Sequence, residues 1–177
     1  MPEKKYELGF IVGRFQVFHL GHASLISKSL MLSRKTVVLV GSADKKRTKD
    51  NPFSFEEREK MIHRVFPDVV VLPLDDIGVG NVPAWGDYLF ESIRKTQGVY
   101  PDLYVCGNEA KVDMWFDGEK MKRLHIERVD RSDIHISASE LREDIIRGNK
   151  VLFDEYVPVQ LHDLYDGIRN ILSSVGL

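Results

Sequence analysis

Apolar residues along the chain alternate between two patterns. Short runs rich in β-branched and aromatic side chains are separated by longer stretches in which apolar positions recur every three or four residues. Phe10, Ile11 and Val12 form the first run and stop at Gly13, as a buried strand does at a tight bend. Thr36 to Val40, Val69 to Leu72, Leu103 to Cys106 and Leu124 to Val129 are later runs of that kind. Between them, Leu20, Leu25 and Ile26 fit one side of a helix that begins near His19 to His22, and Phe55, Met61, Ile62, Val65 and Phe66 fit one side of a second. Ser54 with Glu57 three residues on reads as a capping box at the second helix's start. Trp85, Tyr88, Leu89 and Ile93 carry the helical period again, and Val112 to Lys122 reads as an irregular or helical cover. Ser139 is the expected N-cap of a helix running through Ile145 and Ile146 to a stop at Gly148. After Pro158, Leu161, Leu164, Ile168 and Ile171 predict a terminal helix packed on the core. Strands alternating with helices predict an α/β fold, a Rossmann-like doubly wound parallel sheet of about five strands with flanking helices and a C-terminal helix. At 177 residues one domain is expected, a core over 1–150 and a C-terminal helical segment over 151–177.

Composition narrows the partners. The formal net charge of −2 gives no general attraction to nucleic acid or to an anionic membrane, so neither is expected and any positive site must be local. Cys106 is the only cysteine, which rules out an internal disulfide and suits a reducing compartment. The start, MPEKKYELGF, has no long apolar segment, and no later run reaches transmembrane length, so a cytoplasmic location is the expectation.

The candidate chemistry gathers in Gly9 to Ile26. The first N–H groups of a helix lack intrahelical partners and carry the positive end of its dipole, so a strand–turn–helix here welcomes an anion. Gly21 removes a side chain where a phosphate would approach. His19 and His22, one turn apart, project to the same side and can donate to that anion, and Arg14 adds a fixed charge. Alternatives stay open at this point: ordinary surface or core histidines, or a zinc pair short of a third ligand. No dedicated metal site is expected. A second helix start carries Ser137 and Ser139 with Arg142 one turn on, a second anion site by the same physics unless capping alone explains the serines. Lys45, Lys46 and Arg47, in a charged loop over Asp44 to Asn51, either are simply solvated or steer a triphosphate.

Gly13-Arg14-Phe15-Gln16-Val17-Phe18-His19-Leu20-Gly21-His22 resembles the GRFQPxHxGH signature of the HxGH nucleotidyltransferase superfamily, and most closely the archaeal-type and related bacterial nicotinamide mononucleotide adenylyltransferases. Val17 stands where that family commonly has proline. Gly41-Ser42-Ala43, then Asn51-Pro52-Phe53 and Glu57-Arg58, resemble its GSA, NPF and ER in the same order, and Ile136-Ser137-Ala138-Ser139-Glu140-Leu141-Arg142 is similar to its ISxTxxR. The resemblance implies transfer of an adenylyl group from ATP to a small phosphorylated acceptor, nicotinamide mononucleotide, with Mg2+ carried on the ATP. It implies His19, His22 and Arg142 as catalytic residues, with Gly13, Arg14, Phe15, Gly21, Arg58, Ile136, Ser137 and Ser139 binding ATP. For the acceptor it implies Ser42, Asn81, Trp85, Gly107 and Asn108. Arg58 and Trp85 also have plain readings, an exposed helix arginine and a core aromatic. Family members are often multimers, so a homo-oligomer is possible. Other superfamily reactions, pantetheine-phosphate adenylyl transfer or cytidylyl transfer, and a non-catalytic nucleotide sensor are the alternatives.

Overall fold

The computed structural model describes residues 4–108, 110–130, 134 and 136–176. Five strands, β1 (Tyr6–Gly13), β2 (Ser33–Val40), β3 (Val70–Pro73), β4 (Leu103–Gly107) and β5 (His125–Val129), form one sheet in the order β3-β2-β1-β4-β5, and every pairing is parallel. The expected Rossmann-like α/β sheet is what is found. Strand order reverses between β1 and β4, and the crevice outside the carboxyl ends at such a switch point is where open α/β sheets bind ligands.

Period-two alternation divides the strand side chains between two cores. Ile11, Val38, Val40, Leu103 and Val105 face one layer, covered by α1 (Leu20–Leu32), α2 (Phe55–Val65) and α6 (Ala138–Ile146). Phe10, Val37, Leu39, Tyr104 and Cys106 face the other, covered by α3 (Pro83–Gln97) and the short helix α4 (Val112–Trp115), with α5 (Gly118–Arg123) leading into β5. Each such side chain contributes about 1.5–3 kcal/mol by leaving water, so the sheet is held from both faces. β2 follows α1 without a loop. Ser33 makes this possible: its hydroxyl donates to Ser29 O at 2.8 Å and sits beside Thr36 in a buried hydroxyl cluster. Gly9 leaves that cluster its room, since a Cβ there would lie 2.4 Å from Ser29 Oγ.

β1 and β2 begin earlier than the expected runs, at Tyr6 and Ser33, and two helical assignments also differ from the sequence expectation. The N-cap of α6 is Ser137, whose hydroxyl accepts from Glu140 N while the Glu140 carboxylate accepts from Ser137 N. Ser139 lies inside the first turn. Glu140, three residues after Ser137, completes a capping box that Ser139 has no partner for. The terminal segment is three pieces, α7 (Val151–Tyr156), a 3-10 turn over Val159–Leu164 and α8 (Tyr165–Ser174). Pro158 is the reason: it forces Val157 into extended backbone and withholds an N–H, so α7 stops before it. Phe153, Leu161 and Leu172 nevertheless join the layer of α1, α2 and α6. Among the described residues no helix is long and apolar enough to cross a membrane.

Candidate active site

The chain leaves β1 at Gly13 and enters α1 through a buried loop. His19 is the N-cap of α1, and its Nδ1 accepts from Gly21 N at 3.1 Å. His22 reaches back, its Nδ1 accepting from His19 N at 3.3 Å, and the two ring centroids lie 3.9 Å apart. Two imidazoles thus make the reciprocal capping box that serine and glutamate usually make. Because each Nδ1 is an acceptor, the neutral ring carries its proton on Nε2. The His22 ring rests on Phe15 and Phe18, at centroid distances of 4.8 and 5.7 Å. Phe15 is 1% exposed, at φ 54, and its side chain backs the histidine from the core.

The histidines open onto a cavity of about 580 Å³ that Gly21, Asn108, Ile136 and Ser137 also line. The start of α1, the end of β4 and the start of α6 therefore converge. Arg142 joins the α6 side to the β1 loop: its guanidinium donates to Gln16 O and, at 3.4 Å, to Ser139 Oγ. Burial and the nearby Arg14 push the Arg142 pKa below its ordinary value. Its Nε is buried without a partner.

Arg58 departs from both sequence readings. It is fully buried, and it donates to four carbonyls: Ser54 at 3.1 Å, Arg14 at 3.0 Å, Gly41 at 2.8 Å and Ser42 at 3.1 Å. Those carbonyls hold the turns that end β1 and β2, so Arg58 ties the two turns to α2 and is not an exposed phosphate contact. Burial lowers its pKa to about 10, against which Glu56 and Asp44 act, and it stays charged at neutral pH. Gln16 completes the tie by accepting from Phe53 N at 2.9 Å and donating to Phe53 O at 3.2 Å.

A second cavity, of about 390 Å³, opens beside the end of β1. Gly13, Arg14, Ser42, Asn81 and Trp85 line it, together with Asp76 and Trp115. Three residues expected for the acceptor are thus together, joined by two expected for ATP. Asn108 lies instead in the histidine cavity, while Gly107 ends β4 with its carbonyl taken by Arg128 at 3.2 Å. Trp115, Asp76, Gln16 and Arg128 are the residues that sequence reasoning missed. Gln16, a polar residue inside the run Phe15 to Phe18, carried a signal of a buried partner; Trp115 lay in a stretch without a clear period.

Residues 10–159 match the model of the cytidylyltransferase-like family. The chain belongs to that family. It is 26% identical to the nicotinamide-nucleotide adenylyltransferase of Archaeoglobus fulgidus over 94% of this chain and 97% of that protein. To the enzyme of the same name from Saccharolobus solfataricus it is 32% identical over 68% of this chain and 77% of that protein. The solved bifunctional NMN adenylyltransferase/ADP ribose pyrophosphatase of Francisella tularensis, complexed with AMP and a manganese ion, has the same fold, with a TM-score of 0.74 at 24% identity. That match covers 96% of this chain and 52% of the other, so the chain spans about half of the bifunctional protein.

For a nucleotidyltransferase, the arrangement supplies donors and positive charge rather than a nucleophile. Cys106 is buried within β4. Among the described residues no group of three or more His, Cys, Asp or Glu side chains is placed to hold a metal ion.

Proposed function

We propose that this protein transfers the adenylyl group of ATP to nicotinamide mononucleotide, forming NAD and pyrophosphate. The carrying observation is the pair of cavities at the end of β1, one lined by two imidazoles whose Nδ1 atoms accept backbone N–H groups, the other lined by two tryptophans. An acceptor phosphate oxygen attacks the α-phosphorus of ATP, a P–O bond forms, and the bond to the β-phosphate oxygen breaks with pyrophosphate taking the electron pair. The acceptor phosphate is already anionic, so no general base is required. The protein contributes alignment and stabilisation of growing negative charge. His22 donates to the α-phosphate and His19 to its neighbours, while Arg14 and Arg142 offset charge on the outer phosphates. Gly21 and the start of α1 receive phosphate, with Ile136, Ser137 and Asn108 on the facing wall and Ser139 beside Arg142. Magnesium travels with ATP. Ser42, Asn81 and Trp85 hold the mononucleotide, and a tryptophan face is matched to a cationic pyridinium ring, a contact of about 0.5–2 kcal/mol.

A panel of phosphorylated acceptors offered with ATP and with CTP, scored by pyrophosphate release and product mass, tests this reading. Release with ATP and nicotinamide mononucleotide supports it. Turnover only with phosphopantetheine or only with CTP would reassign the acceptor or the nucleotide, and tight ATP binding without release for any acceptor would make the protein a sensor.

A further inference from the structure

The loop from β3 to α3 that walls the acceptor cavity has little regular structure of its own. Gly78 and Gly80 both sit at φ 69, in backbone that other residues rarely adopt. Its first half is tied down by Asp76, whose N–H donates to Asp44 Oδ1 at 2.9 Å and whose carboxylate pairs with Lys45. The second half is tied to a distant element where Trp115 Nε1 donates to Asn81 Oδ1 at 2.8 Å. The anchor behind that bond is firm. A Cβ on Gly86 would lie 1.8 Å from Trp115 O, so α4 is set directly against α3. The indole that reaches Asn81 also lines the cavity that Asn81 and Trp85 line.

We propose that Trp115 is a positioning residue for the acceptor: its indole N–H latches the glycine-flanked loop through Asn81, and its ring supplies a second aromatic wall beside the one Trp85 supplies. This rests on the acceptor assignment made above for this cavity. Two consequences follow. Asn81 spends its carbonyl on Trp115, so its amide N–H groups are turned to other partners. Removing the indole N–H frees the loop and weakens acceptor binding without touching the triphosphate side.

The test uses Trp115→Phe, Asn81→Ala and the double variant. Loss of one hydrogen bond of this kind is worth about a fivefold change, so Trp115→Phe is expected to raise the KM for nicotinamide mononucleotide about fivefold, with kcat and the KM for ATP within about twofold of the parent. Asn81→Ala raises it at least as much, and the double variant raises it no further than Asn81→Ala alone, the mark of one shared interaction. Effects that multiply, or an unchanged KM in Trp115→Phe, would overturn the latch. Amide hydrogen exchange read without any acceptor separates this proposal from the acceptor assignment: the N–H groups of Gly78 and Val82, which donate to Asp76 Oδ1 and Gly80 O, should exchange about fivefold faster in Trp115→Phe, and unchanged exchange at both refutes the latch whatever the substrate proves to be. Both tryptophans of the chain line this cavity, so intrinsic fluorescence titrated with nicotinamide mononucleotide reports the assignment itself. Absence of quenching in the parent protein, alongside faster exchange in the variant, would discard the acceptor and keep the latch.

Discussion

Replacing Arg58 with methionine separates a structural clamp from a phosphate ligand, because the two roles predict opposite patterns. Methionine keeps much of the buried aliphatic stem and removes the guanidinium, leaving the carbonyls of Arg14 and Gly41 without a donor, while those of Ser54 and Ser42 keep the backbone N–H groups of residues 58 and 45 at 3.2 Å. A buried carbonyl that loses its last partner costs about 1 kcal/mol or more, about 2–3 kcal/mol for the two. Part is offset, since the variant no longer buries a charge whose desolvation lowers its pKa to about 10. A net loss of about 2 kcal/mol is expected, a fall in melting temperature of about 4–8 °C for a chain of this length. Urea unfolding followed by far-UV circular dichroism measures it, with the KM for ATP determined under conditions where the variant is folded. The clamp predicts the stability loss together with a fall in kcat, because the turns at the ends of β1 and β2 relax. An unmoved unfolding midpoint with a KM for ATP raised tenfold or more would refute the reasoning and return Arg58 to the phosphates.

Three further outcomes are expected. His22→Ala should lower turnover by at least about 10²-fold, the scale of a lost transition-state donor, while far-UV circular dichroism stays that of the parent; near-normal turnover would remove His22 from the chemistry. Gly86→Ala places a methyl 1.8 Å from Trp115 O, so α4 must move, and a loss of about 1–3 kcal/mol in urea unfolding should accompany a raised KM for the acceptor but not for ATP. The Arg47 guanidinium, at 2.6 and 2.7 Å, holds the Glu57 carboxyl below its ordinary value of 4.5. A carboxylate whose pKa is lower in the folded state stabilises above that ordinary value and loses its contribution as pH falls through the folded value. Glu57→Gln should therefore lower the urea midpoint at pH 7 and narrow the gap between pH 7 and pH 3; an unchanged gap would assign acid sensitivity elsewhere.

The sheet was legible because its strands advertise themselves locally. Val37 to Val40 and Leu103 to Cys106 are apolar at every position, which only a strand buried on both faces explains, and the histidine helix begins where its period begins. The terminal region misled because Leu161, Leu164, Ile168 and Ile171 keep a helical spacing across a 3-10 turn and α8 alike, and spacing does not register a change of helix type. Arg58 was misjudged for a different reason. Its dipole misfit in the first turns of α2 correctly signalled a partner, but the partners are carbonyls contributed by residues up to 44 positions away, and backbone carbonyls are identical at every position of a sequence. Trp115 illustrates the same limit: its relation to Asn81 depends on α4 being pressed against α3 at Gly86, a close approach that a lone glycine in a helical stretch does not disclose.

Three helices of the site region start with a capping box, and the comparison among them explains why histidine occupies the first. In α2 the box is Ser54 with Glu57, and in α6 it is Ser137 with Glu140. Both satisfy the orphan N–H groups, and both leave a carboxylate at the positive end of the helix, where it competes with any anionic ligand. The start of α1 performs the same capping with His19 and His22. An imidazole has two nitrogens of opposite character when neutral, so Nδ1 accepts from the backbone while Nε2 presents a donor. A serine–glutamate box can also offer a donor through its hydroxyl, but it brings a carboxylate with it, and the histidine box does not. The histidine box thereby closes the helix end without placing a carboxylate there, and the bonds to each Nδ1 orient the ring. Arg47 points the same way from the neighbouring helix: it pairs with the capping carboxylate Glu57, neutralising the negative charge of α2's box where α2 approaches the β1 turn. At α6 the corresponding charge stands, with Arg142 one turn from Ser139 as the nearby cation. The strongest anion-receiving end among the three is thus the start of α1, and the chemistry assigned to His22 follows from how that helix is capped.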